Sequence, residues 1–325
     1  MDLLIVEPLD LEVVQWLEVR YPVRIAPELA REPLALRKAT ASVRAIVTPP
    51  SVAIDEAVLR AAPRLCAIGR LSAGAENIDI DACTRAGVEI VRPATASARA
   101  EAEFAIGAVL QLLRRVPVVN SEGLMVGREL GSASVGLVGM TAGARPLAQL
   151  LRAFGATVVG YDPALHVSDP LWDGWGVRPM ALRELFEQCD VVCVLLDYFT
   201  RFRGLIGERY LATCKPNQVL VSLASSGLFG EAALAEVLHS GRMAAVWLDS
   251  LEPGALEPGR PLHKVVNLQV TPRVSSTTRE SRVRGAWAVA RRIDEILSGA
   301  STRVAFRPTT AQDDVVDLAG GPETG

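Results

Sequence analysis

"VGLVGMTAGARPLAQLLRAFGATVVGYD", residues 135–162, is the stretch whose reading decides the fold. An apolar run, VGLVG, meets a turn holding Gly139 and Gly143, then a helical stretch, then a second apolar run that closes on Asp162. Leu147, Leu150, Leu151 and Phe154 recur at i, i+3, i+4 and i+7, as on one face of a helix. Strand, glycine turn, helix, strand and acid form the context in which a helix N-terminus receives a dinucleotide pyrophosphate. In that reading Gly139 makes the tight turn. Thr141, Ala142, Gly143 and Ala144 face the phosphates, and Asp162 takes the adenosine ribose hydroxyls. An acid at 162 favours NAD (and NADH) over NADP, because a 2′-phosphate would meet a like charge. The glycine pattern itself is altered to Gly139-x-Thr141-x-x-Ala144. Thr141 puts a branched side chain where backbone approaches phosphate, although its hydroxyl offers a donor and Gly143 lets the turn reshape. Pro146 suits a first helical turn. The competing reading is a unit of this architecture that has lost its cofactor.

Working outward, short β-rich runs alternate with helical stretches along the chain. LLIVE (3–7), AIV (45–47), CAIG (66–69) and EIV (89–91) precede the decisive stretch. VVCVLL (191–196), QVLVSLA (218–224), AAVWLD (244–249) and LQVT (268–271) follow it. Near-continuous apolar strands separated by helices predict α/β architecture, with parallel sheets covered on both faces. Two longer helices lie between the strand groups. One is expected from about Ser97 to Val116, with Glu101 and Glu103 early and Arg114 and Arg115 late, a charge order that suits the helix dipole. The other is expected to begin at Thr277, with Glu280 at capping-box spacing, a stripe of Val283, Trp287, Ala290, Ile293 and Leu297, and Gly299 as its stop. These helices read as crossings between two domains, the second inserted into the first. Beyond Ser301 the chain turns irregular and is expected to be a partly ordered tail.

Composition narrows the function classes. The 325 residues are half hydrophobic and 22% charged, with a formal charge of -3, which gives no global attraction to nucleic acid or an anionic membrane. The N-terminal MDLLIVEPLD lacks signal-peptide pattern, and no apolar run reaches bilayer-spanning length, so a cytoplasmic protein is expected. Cys66, Cys83, Cys189, Cys193 and Cys214 form no C-x-x-C pair and read as reduced thiols, with no metal site. His166, His239 and His263 each read as structural rather than catalytic.

The order and spacing of several segments resemble the D-isomer-specific 2-hydroxyacid dehydrogenases of the phosphoglycerate and glycerate dehydrogenase type. The segments are AAPRLCAIGRLSAGAENIDIDACTRAGVEIV, ARAEAEFA, VGLVG, RAFGATVVGYDP, RGLIGERYLATCKPNQVLVSLA, EAALAEVLHSGRMAAVWLD and PLHKVVNLQVTP, and they run through nearly the whole chain. The resemblance implies a Rossmann-type NAD-binding domain at 99–282, inserted into a smaller flavodoxin-like α/β substrate domain at 1–98 plus 283–325. It also implies a homodimer through the nucleotide-binding domain, a small-molecule carboxylate as substrate, and Asp249 and Ala224 beside the cofactor. The substrate-carboxylate loop corresponds to Ser72, Ala73 and Gly74 in LSAGAEN, with Ser72 in a glycine's place.

The family's catalytic residues are replaced. The arginine that holds the substrate carboxylate and keto oxygen corresponds to Ser225. The supporting glutamate falls by count on Gly254, with Glu252 and Glu257 nearby, and the proton-donating histidine corresponds to Arg273. Arginine stays protonated and cannot serve as a base, though it clamps carboxylates through two parallel hydrogen bonds. Three readings follow. The chain is a cofactor-binding relative without the usual activity, or an oxidoreductase with a rebuilt site in which Arg273 clamps the substrate and Tyr198, Ser225 or water handles the proton. The third is different chemistry, such as elimination or isomerisation.

Overall fold

A computed structural model describes residues 1–71, 77–93, 95–115, 118–119 and 121–299. The irregular segment expected after Ser301 lies outside the described residues, as do Ser72, Ala73 and Gly74. The described chain forms two compact units: one of Met1–Arg70, 77–91 and 289–299, the other of Leu71 with the described residues of 92–288. Apart from Leu71, the described chain changes unit at 91/92 and 288/289, whereas the sequence places domain boundaries at 98/99 and 282/283.

The first unit is built on five strands: β1 Leu3–Ile5, β2 Val23–Ile25, β3 Ala45–Val47, β4 Ala67–Gly69 and β5 Glu89–Val91. They pair in parallel in the order β2-β1-β3-β4-β5, the flavodoxin-like winding. The central strands β1, β3 and β4 are buried throughout, as expected of parallel strands covered on both faces. Leu4, Ile46, Ile68 and Val58 share one apolar cluster with Ala82 and Cys83 from the helix Ile80–Ala86. β2, with only three half-buried or exposed residues, is the edge strand that hydrophobic patterning does not reveal.

The second unit carries a two-stranded antiparallel ribbon, β6 Val118–Val119 and β7 Met125–Val126, and a larger parallel sheet. That sheet contains β8 Ser134–Val138, β9 Thr157–Tyr161, β10 Arg178–Pro179, β11 Val191–Val194, β12 Gln218–Ser222, β13 Met243–Leu248 and β14 Leu268–Val270. Its order is β10-β9-β8-β11-β12-β13-β14, so strand order reverses between β8 and β11. This is the doubly wound dinucleotide topology extended by one strand, and its reversal point is where such sheets take ligands. In β11, Val191 and Cys193 join one apolar cluster while Val192 and Val194 join another. Successive side chains point to opposite faces, and both faces are covered, which is why the strand reads as an unbroken apolar run.

The helix expected over 97–116 spans Ala98–Arg115, and Ala102, Ala105, Val109, Leu112 and Leu113 are buried along its inner face. The glycine-turn helix spans Ala144–Ala153 and buries Leu147 and Leu151, whereas Phe154, expected on the same stripe, is 47% exposed. The last helix is capped one residue later than expected, at Thr278 rather than Thr277. It spans Arg279–Leu297, and the reciprocal bonds join Thr278 to Ser281: each backbone N–H donates to the other's hydroxyl at 3.0 Å. Thr277 instead donates its hydroxyl to the Arg273 carbonyl, because the preceding turn places it there. Gly299 adopts φ +73°, as a helix stop requires.

Candidate functional site

The carboxyl ends of the large sheet's strands gather most of the predicted site residues of the second unit: Gly139 after β8, Asp162 after β9, Ala224 and Ser225 after β12, Asp249 and Glu252 after β13, and Arg273 after β14. At the reversal point, Gly139 has φ +96°, and a β-carbon there would sit 2.5 Å from the Leu196 backbone beyond β11. Both facts demand glycine. The turn is tied to β9 by the Gly139 N–H on the Tyr161 carbonyl at 2.8 Å and the Met140 N–H on Asp162 Oδ2 at 2.7 Å. Asp162 Oδ1 accepts from the Ala164 N–H at 2.8 Å. One backbone donor on each oxygen orients the half-buried carboxylate and leaves lone pairs for hydroxyls.

The helix Ala144–Ala153 starts from Gly143 without a side-chain cap. Its first-turn amides and the positive end of its dipole suit an anion. Gly143 differs from Gly139 in kind. Its φ is −71°, open to any residue, but a β-carbon would lie 2.5 Å from Glu101 Oε2. Sequence reasoning gave Gly143 the task of reshaping the turn; the structure shows it admitting the Glu101 carboxylate. Together these features fit a dinucleotide: the glycine at the close approach, the uncapped helix and the oriented acid.

Asp249 is 1% exposed and organises the loop that carries Arg273. Its Oδ1 accepts from the Thr271 hydroxyl at 2.6 Å and the Val274 N–H at 3.0 Å, and its Oδ2 from the Ser275 N–H at 2.8 Å. Thr271 in turn accepts from Trp247 Nε1 at 3.1 Å, and Trp247 packs edge-on against Phe104 at 5.6 Å. Held this way, Arg273 takes φ +55°, gives its N–H to the Asp249 carbonyl at 2.6 Å, and places Nε 3.2 Å from the Ser250 hydroxyl.

Around Ser225 the structure assembles a group that sequence reading identified only in part. Ser225 accepts the Gly227 N–H at 3.3 Å and so caps the short 3-10 turn Ser226–Leu228. Ser226 Oγ accepts the Glu252 N–H at 2.9 Å. Glu252 receives two parallel bonds from Arg203, at 3.1 and 3.0 Å, and a β-carbon on Gly227 would touch both Glu252 and the Tyr198 ring. Arg203 was missed because it lies in a loop between β11 and β12, far in sequence from Glu252. Gly254, on which the family's glutamate is expected by count to fall, has φ +80° and does not join this group in the described contacts. His166 meets the Ser168 hydroxyl and His263 meets the Leu256 carbonyl. Among the described residues no cluster of metal-ligand type occurs, and no helix is long and apolar enough to cross a membrane.

A dinucleotide-binding α/β protein is the class that this topology and turn define. Residues 107–275 match the model of the D-isomer specific 2-hydroxyacid dehydrogenase, NAD binding domain. The chain is 30% identical over 294 residues to the (S)-sulfolactate dehydrogenase of Chromohalobacter salexigens, covering 88% of this chain and 95% of that protein. It is 32% identical over 287 residues to the D-3-phosphoglycerate dehydrogenase of Mycobacterium tuberculosis, covering 85% of this chain and 52% of the relative. The chain thus spans about half the length of the phosphoglycerate dehydrogenases it matches. Among solved structures, a glyoxylate reductase from Paecilomyes thermophila superposes with a TM-score of 0.78 at 25% identity, covering 93% of this chain and 96% of that one. The D-lactate dehydrogenase of Aquifex aeolicus, solved with NAD and lactic acid, shares the fold with a TM-score of 0.75 at 21% identity, covering 92% and 96% of the two chains. The chain belongs to the D-isomer-specific 2-hydroxyacid dehydrogenase family. The matched region is that family's NAD-binding domain.

Proposed function

We propose that this protein binds NAD(H) in the second unit without ordinary 2-hydroxyacid dehydrogenase turnover, as a nucleotide-responsive regulator or scaffold. The carrying observation is Arg273, in the histidine's place, on a left-handed backbone with its Nε on the Ser250 hydroxyl. Reduction of a keto acid needs a proton donor for the nascent alkoxide, and a positioned acid contributes roughly 10²–10⁴-fold in rate. A guanidinium retains its protons at working pH and cannot fill that role. Gly139, the first turn of Ala144–Ala153, Asp162, Ala224 and Asp249 would hold the cofactor, which supplies hydride chemistry when bound. Ser72, Ala73 and Gly74 remain the proposed carboxylate loop, and a small 2-hydroxy or 2-keto acid the proposed ligand class.

A second reading is supported by the Arg203–Glu252 pair beside Tyr198 and the Ser225 turn. An arginine, an acid and a phenol there could form a rebuilt oxidoreductase site. Fluorescence titration with NADH, followed by assay against a panel of 2-keto acids, separates the two. Saturable NADH binding with no turnover is the expected result; turnover with any keto acid overturns the first reading. A gain-of-function arm uses Ser225→Arg with Arg273→His and keeps Glu252. Gly254→Glu is avoided because its φ of +80° disfavours a side chain, whereas histidine is among the residues that tolerate the left-handed region.

The proposed assembly is a homodimer through the second unit. Supporting it, the β6–β7 ribbon presents Val119 and Met125 at 67% and 76% exposure.

A further inference from the structure

The NAD-binding turn has an anion of its own. Glu101 lies in the first turn of the helix Ala98–Arg115, yet its carboxylate seats against Gly143, the residue from which the phosphate-facing helix begins. The glycine is what permits this seat, since a β-carbon would overlap Oε2 at 2.5 Å. An uncapped helix N-terminus favours whichever anion reaches it. The Glu101 carboxylate, seated against Gly143, is an anion beside that N-terminus from within the protein.

We infer that Glu101 competes with the cofactor's phosphates at the Gly143 turn, so that nucleotide binding is coupled to uptake of a proton by Glu101. The idea rests on the NAD-binding reading and extends it to how binding is set by pH. The surroundings of Glu101 favour the neutral acid. Burial pushes its carboxyl up; the hydroxyl of Ser97, just before the helix, counters this, and the carboxylates of Asp197 after β11 and Asp249 after β13 add to the rise. On the turn side stand the Thr141 hydroxyl and the solvent-exposed Arg145 in the first turn of Ala144–Ala153. A bound diphosphate is one more like charge, which raises the Glu101 pKa further.

The sign follows from linkage. Below the pH at which Glu101 ionises in the free protein, the acid is neutral and nucleotide affinity is at its maximum. As pH rises through that range, ionised Glu101 must regain a proton or repel the phosphates, and affinity falls. Each pKa unit of difference between free and bound protein is a tenfold change in affinity. One further piece of chemistry agrees with this placement: Gly143 has no backbone reason to be glycine.

The test uses the full chain with NADH and, to isolate the phosphate and ribose part, ADP-ribose, titrated from pH 5.5 to pH 8. Wild type is expected to bind both probes more weakly as pH rises. Glu101→Gln should remove that slope and bind about tenfold more tightly at pH 8. Glu103→Gln, two residues along and exposed in a pair with Arg99, should retain the wild-type slope. Without nucleotide, Glu101→Gln should raise Tm by about 2 °C or more at pH 8 and little at pH 5. A raised carboxyl withdraws stability as pH climbs, and the amide does not. Equal affinity and equal slope in wild type and Glu101→Gln would overturn the competition while leaving NAD binding intact. Failure of both proteins to bind either probe at any pH would overturn the cofactor reading and the competition together. A Tm difference independent of pH would show that Glu101 acts through packing, and would likewise overturn the coupling.

Discussion

Gly139 and Arg273 are both residues with positive φ at the carboxyl edge of the same sheet, and they got there for opposite reasons. At Gly139 the backbone of Leu196 leaves no volume for a side chain. Gly139→Ala therefore combines a forbidden conformation with an overlap against backbone, and is expected to cost about 2–4 kcal/mol. Urea unfolding monitored by far-UV circular dichroism would read this as a lower midpoint at unchanged slope. A variant as stable as wild type would mean the turn is not built as described. Arg273 carries a full side chain at φ +55°, held by its own N–H on the Asp249 carbonyl and by Thr277 on its carbonyl. A non-glycine residue in that region marks a place where surrounding bonds over-determine the backbone.

At the scale of elements, the polar entry to the large sheet is fastened by Asp190, one residue before β11. It accepts from the Ser134 N–H at 2.9 Å and hydroxyl at 2.8 Å, linking the starts of β8 and β11, and from Lys215 at 2.6 Å. Burial alone would push its carboxyl up, but the Lys215 bond and the two Ser134 bonds outweigh it and hold the group below its ordinary value. A depressed carboxyl adds stability that is present above its unfolded pKa and lost as pH falls through the folded one. Asp190→Asn is thus expected to destabilise by about 1–3 kcal/mol at pH 7. The gap to wild type should close below the normal carboxylate range, followed as Tm against pH. A constant gap down to pH 2 would contradict this assignment. Asp249 plays the matching part at the exit edge, where one buried acid sets the loop from Thr271 to Ser275. Its role there is backbone geometry, whatever contact it makes to a nicotinamide ring.

For the whole molecule, the homodimer proposal makes the exposed ribbon the place to intervene. Met125→Glu with Val119→Glu should shift the protein from dimer to monomer in light scattering behind size-exclusion chromatography. Charge introduced into an apolar contact loses burial and gains desolvation cost. A wild type that is already monomeric at micromolar concentration would overturn the proposal. Each unit has its own apolar core, one around Leu4, Ile46 and Ile68, and a larger one on either face of β11. That separation is why the glycine turn can be read within the second unit alone.

Much of this was legible in the chain. Unbroken apolar runs such as VVCVLL announce parallel strands because both sheet faces are covered, and the order of strand, glycine turn, helix and acid announces the nucleotide fold. Edge elements escaped: β2 and the two-residue β10 bury too little for patterning to register, and the capping box at Thr278 and Ser281 used a hydroxyl where a glutamate was expected. Sequence by itself determined the fold and the family, since these depend on local pattern and on order along the chain, and it is the source of the proposal that three catalytic residues are replaced. Only the tertiary structure decided what surrounds them. Arg203 reaches Glu252 across 49 positions, and Glu101 reaches Gly143 from another helix. Such meetings depend on how strands and helices stack, which no local periodicity encodes.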